Sequence, residues 1–558
     1  MTRTSWWTFA LAVAGLALAA SWSSIGNGFA YDDIYVIVND PARMHNLSRW
    51  WEEFARTYWL SEGRAPGDGY RPLTILAFRA QWVLGGGDPM IYHATSITVH
   101  VVTAVLVFWL ACGVLPVAAA WVAAALYAVH PVHVEAVANV VGQSELMVAL
   151  LVVLAMALYI HGRAAGPLGW KRWVAIGSLY AAALLFKEHA ITLIALIPLA
   201  ELTVVRDTEP LRKRLERMRI PVLAFTLLVA AYLWVRSVTV IGTGFAPYIV
   251  FASLDLSSSD RVLTMVGASP EWVRLLLWPA RLMTEYAPPY VEVAQGFSIS
   301  QLPGLLVLLG TLGLIVATWK RSPATAFGIA WLVITLSPSS NFVVAAGFII
   351  AERTLLLPSV GAMIAVASVI PWLYARLEER RWAQYAAAAV VLLLVGLGAA
   401  RSHGRNPVWK SNETLFRQGI VDSPDSYRAH FMLGTHLFEQ KQQVEAEKHY
   451  RKALELFPYD PLMAYALAEQ YRGAGMCAPA LPLYEWYFQM EPNAARGHIG
   501  QAQCLLLSLR LDEAREAALR AIRNGARVRT ARQIIAASVA AKDSIAARRL
   551  RGDTLPPL

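Results

Sequence analysis

Long apolar runs recur along the first 400 residues of this 558-residue chain and then stop. A run of about 20 apolar residues crosses the hydrocarbon of a bilayer as a helix, which pairs its own backbone groups where water cannot. About eleven spans are read, at 5–22, 93–111, 117–130, 145–161, 173–186, 189–205, 221–238, 303–319, 324–337, 354–373 and 383–400. The expected fold class is all-α. A polytopic helical membrane domain occupies 1–400, a linker 401–424 and a soluble domain 425–548, with a disordered tail over 549–558. A hydrophobic share of 56% against 16% charged residues excludes an ordinary soluble protein. The first run is read as an uncleaved helix rather than a secretory leader, because many spans follow it.

A net charge of +10 would suit a nucleic-acid binder, but the positions of the charges exclude that class. With the N-terminus inside, the inner loops carry Arg163, Lys171 and Arg172, then Arg206 and the cluster 212–219. Further along they carry Lys320 and Arg321, then Arg376, Arg380 and Arg381. Basic inner loops set the orientation of a membrane protein. The outer segments are then 23–92, 131–144, the corner 187–189, 239–302, 338–353 and all residues after 400. The short apolar stretch 272–283 contains a Trp-Pro break and reads as interfacial or re-entrant. Three cysteines make no disulfide framework, although Cys477 and Cys504 could pair.

The unusual polar clusters fall on the outer face: Asp32 and Asp33, Tyr70 and Arg71, His130, His133 and Glu135, Lys187 with Glu188 and His189, and Glu352 with Arg353. Carboxylates at a membrane face are costly and mark function. A single Asp there could equally cap a helix. A first-loop carboxylate can take a proton from an attacking hydroxyl. The cations Arg71, Lys187, His189 and Arg353 can hold a phosphate and stabilise it as it leaves. That pairing suits transfer of a sugar from a lipid-linked phosphate. Trp50, Trp51, Tyr58 and Trp59 offer surfaces for interfacial anchoring or sugar stacking. His130, His133 and Glu135 carry metal-ligand atoms, but capping of a span end explains them as well. No divalent metal or other cofactor is expected. Glu201, near the inner end of its span, reads as structural.

Beyond residue 424 a 34-residue period appears. It is kept by Pro424, Pro458 and Pro492, by Gly434, Ala468 and Ala502, and by Ala446, Ala480 and Ala514. Tyr450 and Tyr484 share the register. Small residues where helices cross, an aromatic in the second helix and a closing Pro make the tetratricopeptide signature. Three repeats and a capping helix are expected, forming an α-solenoid with a concave surface for a protein partner.

The motifs FAYDD at 29–33, NDP at 39–41, YRPL at 70–73, HPVHVEAV at 130–137, GQSE at 142–145, KEH at 187–189, PSSN at 338–341 and AERTLLLPS at 351–359 stand in order ahead of that array. Together they resemble the transmembrane-and-tetratricopeptide (TMTC) protein O-mannosyltransferases of the GT-C superfamily. The resemblance implies a GT-C-like bundle and inverting transfer of mannose from a polyprenyl- or dolichyl-phosphate to Ser or Thr hydroxyls. It implies a base at Asp32 or Asp33, without choosing between them. The Ala- and Arg-rich composition suggests a bacterial inner membrane with the repeats in the periplasm; a eukaryotic chain would place them in the endoplasmic reticulum lumen. Two other readings stay open: a transferase acting on an envelope lipid or polysaccharide, and a non-catalytic assembly factor that recruits proteins through the repeats. Transport fits poorly, because charges are sparse within the spans.

Overall fold

The computed structural model describes residues 3–59, 69–240, 250–251, 254, 256–377, 380–526 and 528–550, and among them every regular element is helical. The chain forms two compact units. The first comprises 1–248, 258–286 and 292–418; the second comprises 249–257, 287–291 and 419–558.

In the first unit the main helices are α1 (Arg3–Ser21), α2 (Pro72–Gly85), α3 (Pro89–Cys112), α4 (Val117–Ala128), α5 (Gln143–Arg163), α6 (Trp170–Phe186) and α7 (Leu193–Thr203). They continue with α8 (Leu211–Thr239), α9 (Ser258–Leu277), α10 (Leu302–Thr318), α11 (Pro323–Leu336), α12 (Leu356–Ala367) and α13 (Arg381–Arg405). Among the described residues seven helical stretches are long and apolar enough to cross a membrane, or eight if one bent pair counts as a single span. The expected count of about eleven is not confirmed. The α4 helix stops before His130-Pro131, and the next helical piece departs at 46°. The α6, α7 and α11 helices have 17, 11 and 14 residues. Between α6 and α7 the backbone leaves the helix at Lys187, which is extended. These shorter helices still pack within the bundle. A Cβ on Gly328 of α11 would lie 2.4 Å from the Gly361 carbonyl oxygen of α12. Glycine at that crossing lets the two backbones approach without an intervening side chain.

The segment read as a linker, 401–424, is largely helical. The α13 helix runs to Arg405, a tight turn follows over Asn406–Lys410, and α14 spans Asn412–Asp422. Its polar side chains tie this segment to the end of α1. Asn406 Nδ2 donates to the Ala20 carbonyl at 2.9 Å, and Asn27 Nδ2 donates to the Asn406 carbonyl at 2.9 Å.

The second unit holds helix pairs α15 and α16 (Tyr427–Glu439, Gln443–Leu456), α17 and α18 (Pro461–Gly473, Cys477–Met490), and α19 and α20 (Ala495–Leu507, Leu511–Arg523). A closing helix, α21, spans Val528–Leu550. The period is visible in the packing: Ala446, Ala480 and Ala514 are fully buried, and Tyr450 and Tyr484 nearly so. Cys477 and Cys504 are paired between α18 and α19, with Cα atoms 5.0 Å apart. Of the expected tail, 549–550 continue α21, and 551–558 lie outside the described residues.

Candidate active site

The first loop folds as a cap with its own core. Arg43 and Arg79 both donate to the fully buried Glu53, at 2.6 Å and 2.8 Å. Val36, Ile37, Met44 and Tyr58 pack with Ile75, Phe78 and Tyr92. Tyr58 is therefore a core residue, with the Arg71 guanidinium over its ring at 4.8 Å. Trp50 and Trp51 stay exposed.

The acidic pair is divided. Asp33 is buried and faces backbone amides: Val141 donates to Oδ1 at 2.8 Å, Val140 to Oδ2 at 3.3 Å and Ala30 to Oδ2 at 3.2 Å. It therefore docks the loop onto the turn Val140–Gly142. That turn sits close to the preceding helical piece, since a Cβ on Gly142 would lie 2.4 Å from the Ala136 carbonyl oxygen. Burial pushes the Asp33 carboxyl up to about 7, against the lowering effect of its three N–H donors. Asp32 is only half-buried. The chain passes from the pair directly into a wide π-type turn, Ile34–Val38, of the kind that often marks functional segments.

The expected cations converge, each already facing a carboxylate. Arg71 makes a two-pronged pair with Glu188, at 3.1 Å and 2.8 Å. Lys187 Nζ donates to Glu145 at 2.5 Å, and His189 Nε2 lies 3.1 Å from the same carboxylate, outside hydrogen-bonding geometry. Arg353 donates its backbone N–H to Glu135 at 2.8 Å and its guanidinium to the other oxygen of Glu135. Burial would raise the Glu188 carboxyl, but the Arg71 charge outweighs it and holds Glu188 well below the usual carboxylate range. The charges of Asp32, Glu135 and Glu145 all act on Arg353, and those of Arg71, Glu145 and Arg353 act on Lys187. Four separate corners of the chain thus share one electrostatic cluster.

The other expected residues surround it. Glu352 accepts from the Met283 backbone N–H and the Tyr286 hydroxyl, both at 2.7 Å. Tyr70 donates its hydroxyl to the Phe54 carbonyl at 2.9 Å, a structural role. His130 Nε2 meets the Leu276 carbonyl at 3.0 Å, and His133 Nε2 meets Ser359 Oγ at 2.9 Å. With Glu135 on Arg353, these three do not converge as ligands. Among the described residues no group of three or more His, Cys, Asp or Glu could hold a metal ion. Glu145 had a sequence signal in its GQSE motif, yet its pairing with Lys187 required the fold. Glu201 accepts from Tyr159, Arg163 and Arg214 at the other end of α5 and α7, away from the cluster.

These features define a multi-pass helical membrane protein with a polar cluster at the loop corners and a tetratricopeptide array. A tetratricopeptide repeat model matches residues 413–461 and 465–527. The chain is similar to Protein O-mannosyl-transferase TMTC1 of Homo sapiens, 27% identical over 503 residues, covering 80% of this chain and 55% of that protein. It is 26% identical to Protein O-mannosyl-transferase Tmtc3 of Drosophila melanogaster over 590 residues, covering 90% of this chain and 62% of that one. It is 29% identical to TMTC4 of Homo sapiens over 492 residues, covering 79% and 65%. The chain therefore spans about three-fifths of the length of these curated relatives.

Proposed function

We propose that this chain is a membrane glycosyltransferase that moves mannose from a polyprenyl-phosphate donor to Ser or Thr hydroxyls of a protein, with inversion. The observation that supports this reading is the half-buried Asp32 in a first loop whose Arg71 pairs with Glu188, with Lys187 on Glu145 and Arg353 on Glu135 at the neighbouring loop corners. Asp32 takes the proton of the acceptor hydroxyl as its oxygen bonds the anomeric carbon. The opposite bond, from that carbon to the phosphate oxygen, breaks, and the polyprenyl phosphate leaves with the electron pair. Arg353, Lys187 and Arg71 counter the charge on the departing phosphate, and Glu352 meets sugar hydroxyls. The names of these relatives, protein O-mannosyl-transferases, support mannose and a protein acceptor. The repeats recruit that acceptor on the outer side of the membrane. In a bacterium that side is the periplasm.

The test uses purified full-length protein in lipid nanodiscs with mannosyl-phosphoryl-polyprenol and outer-face proteins as acceptors. Mass spectrometry is expected to locate hexose on Ser or Thr, and NMR to give the inverted anomer. Protein that binds donor yet glycosylates no polypeptide, or only a lipid, sinks the proposal.

A further inference from the structure

We propose that Tyr31 is a positioning residue for Asp32 and that Asn412, the first residue of α14, holds it there. The inference rests on the reading of Asp32 as the base. Tyr31 precedes Asp32 in the chain and has φ +57°, a left-handed conformation that a tyrosine keeps only where its surroundings impose it. Its backbone N–H donates to Asn412 Oδ1 at 2.6 Å, and its hydroxyl donates to Glu285 at 2.7 Å. The ring meets Trp409 and Phe416 edge-on, with centroids 6.5 Å and 6.3 Å away. Three residues upstream, the Gly28 N–H donates to the Lys410 carbonyl at 3.0 Å.

Asp32 is thus flanked by two anchored neighbours, with Asp33 fixed by the amides of Val140 and Val141 and Tyr31 fixed by Asn412. Its backbone is held on both sides, on one of them by a residue 381 positions away in sequence. The tetratricopeptide match begins at residue 413, so the residue that holds Tyr31 opens the helix leading into the array. A merely structural clamp would protect the whole fold. A positioning clamp acts on turnover, because small misplacements of a catalytic group cost rate steeply.

The experiment compares full-length wild type, Asn412→Ala, Asn412→Asp and Tyr31→Phe in nanodiscs. Turnover at saturating donor, KM for acceptor, donor affinity and hydrogen exchange at the Tyr31 amide are measured for each. Asn412→Ala is expected to lower kcat by roughly ten- to hundred-fold, with KM and donor affinity within about twofold, and to speed exchange at Tyr31. Asn412→Asp keeps the acceptor oxygen and is expected to restore both readouts. Tyr31→Phe, which loses the Glu285 bond and keeps the backbone bond to Asn412, should fall between. Wild-type kcat in a folded Asn412→Ala overturns the inference and leaves the functional reading standing. A loss that Asn412→Asp does not restore, or one matched by weaker donor binding, also overturns it. A wild type that transfers no sugar overturns the functional reading and this one together, and the wild-type control separates those failures.

Discussion

Val141 gives its backbone N–H to Asp33 Oδ1 at 2.8 Å, and that bond separates the roles of two adjacent carboxylates. Asp33 docks the first loop onto the turn before α5, while Asp32 is half-buried and its charge acts on Arg353. Asp32→Asn is expected to lower sugar transfer by about a hundred- to ten-thousand-fold, the usual worth of a positioned base, with an unchanged melting temperature. Asp33→Ala orphans the buried N–H groups of Val140 and Val141, so it is expected to lower stability by about 1–3 kcal/mol for each such group. Thermal melts beside transfer assays decide it. Equal losses of activity at equal stability in both variants would contradict this division.

The same carboxyl supplies a pH dependence. Burial raises the Asp33 pKa from the ordinary 3.8 to about 7. A group raised in the folded state stabilises it fully below its unfolded pKa and loses that contribution as pH climbs through the folded one. Stability of the membrane unit is therefore expected to decline between about pH 4 and 7 through this group. Asp33→Asn should flatten that slope. It should also start lower, because an amide nitrogen would face the Ala30 and Val140 donors. Melting curves across that range for both proteins are the measurement.

Much of the fold can be read from residue patterns, and the parts that cannot share a cause. The 34-residue period gives the repeats because each unit meets its neighbours in the same way, as the buried Ala446, Ala480 and Ala514 record. Hydropathy and the polar corners mark the breaks at Lys187 and after Ala128, but not the 46° angle at which the helical piece after Ala128 departs. The cations and carboxylates of the site are visible as motifs. Their pairing is not, because Glu135 meets Arg353 across 218 positions and Asp33 meets Val141 across 108.

Arg353 holds Glu135 by its guanidinium while its own backbone N–H caps the second carboxylate oxygen. Arg353→Lys keeps the charge and the backbone bond but loses the planar fork. Donor affinity and turnover together are expected to fall by about 1.5–3 kcal/mol, the worth of a hydrogen bond to a charged group. Combining it with Glu135→Gln tests whether the two act as a unit. The double variant is expected to lose less than the sum of the single losses, and strict additivity would show that Arg353 works without Glu135.

The Cys477–Cys504 bond closes a segment with a sequence separation of 27 between α18 and α19. Closing a loop of that size stabilises the folded array by about 3–4 kcal/mol. Replacing both cysteines by Ala is expected to lower the melting temperature of the repeats, and reduction of the wild type should do the same. Disulfides persist in oxidising compartments, so protein taken from its native membrane is expected to resist thiol alkylation at both positions until reduced. Free thiols in the native protein would argue against an outward-facing array.

The placement of α14 sets where the chain can be cut. Gly28, Tyr31 and Ala20 all bond to residues between Asn406 and Asn412. Ending the chain after Asp422 removes the repeats and keeps these bonds. That truncation is expected to stay folded, bind donor at wild-type affinity and hydrolyse it slowly, while losing modification of the native protein acceptor. Ending the chain after Arg405 removes the same repeats together with the clamp, at about 1 kcal/mol for each hydrogen bond lost. It is expected to melt lower and to turn over donor less well than the longer truncation. Thermal stability, donor binding and donor hydrolysis of the two truncations, measured side by side, separate the clamp from the repeats. Identical behaviour of the two would show that residues 406–422 do nothing for the membrane unit. Full-rate modification of the native acceptor by the longer truncation would show that the repeats serve another partner.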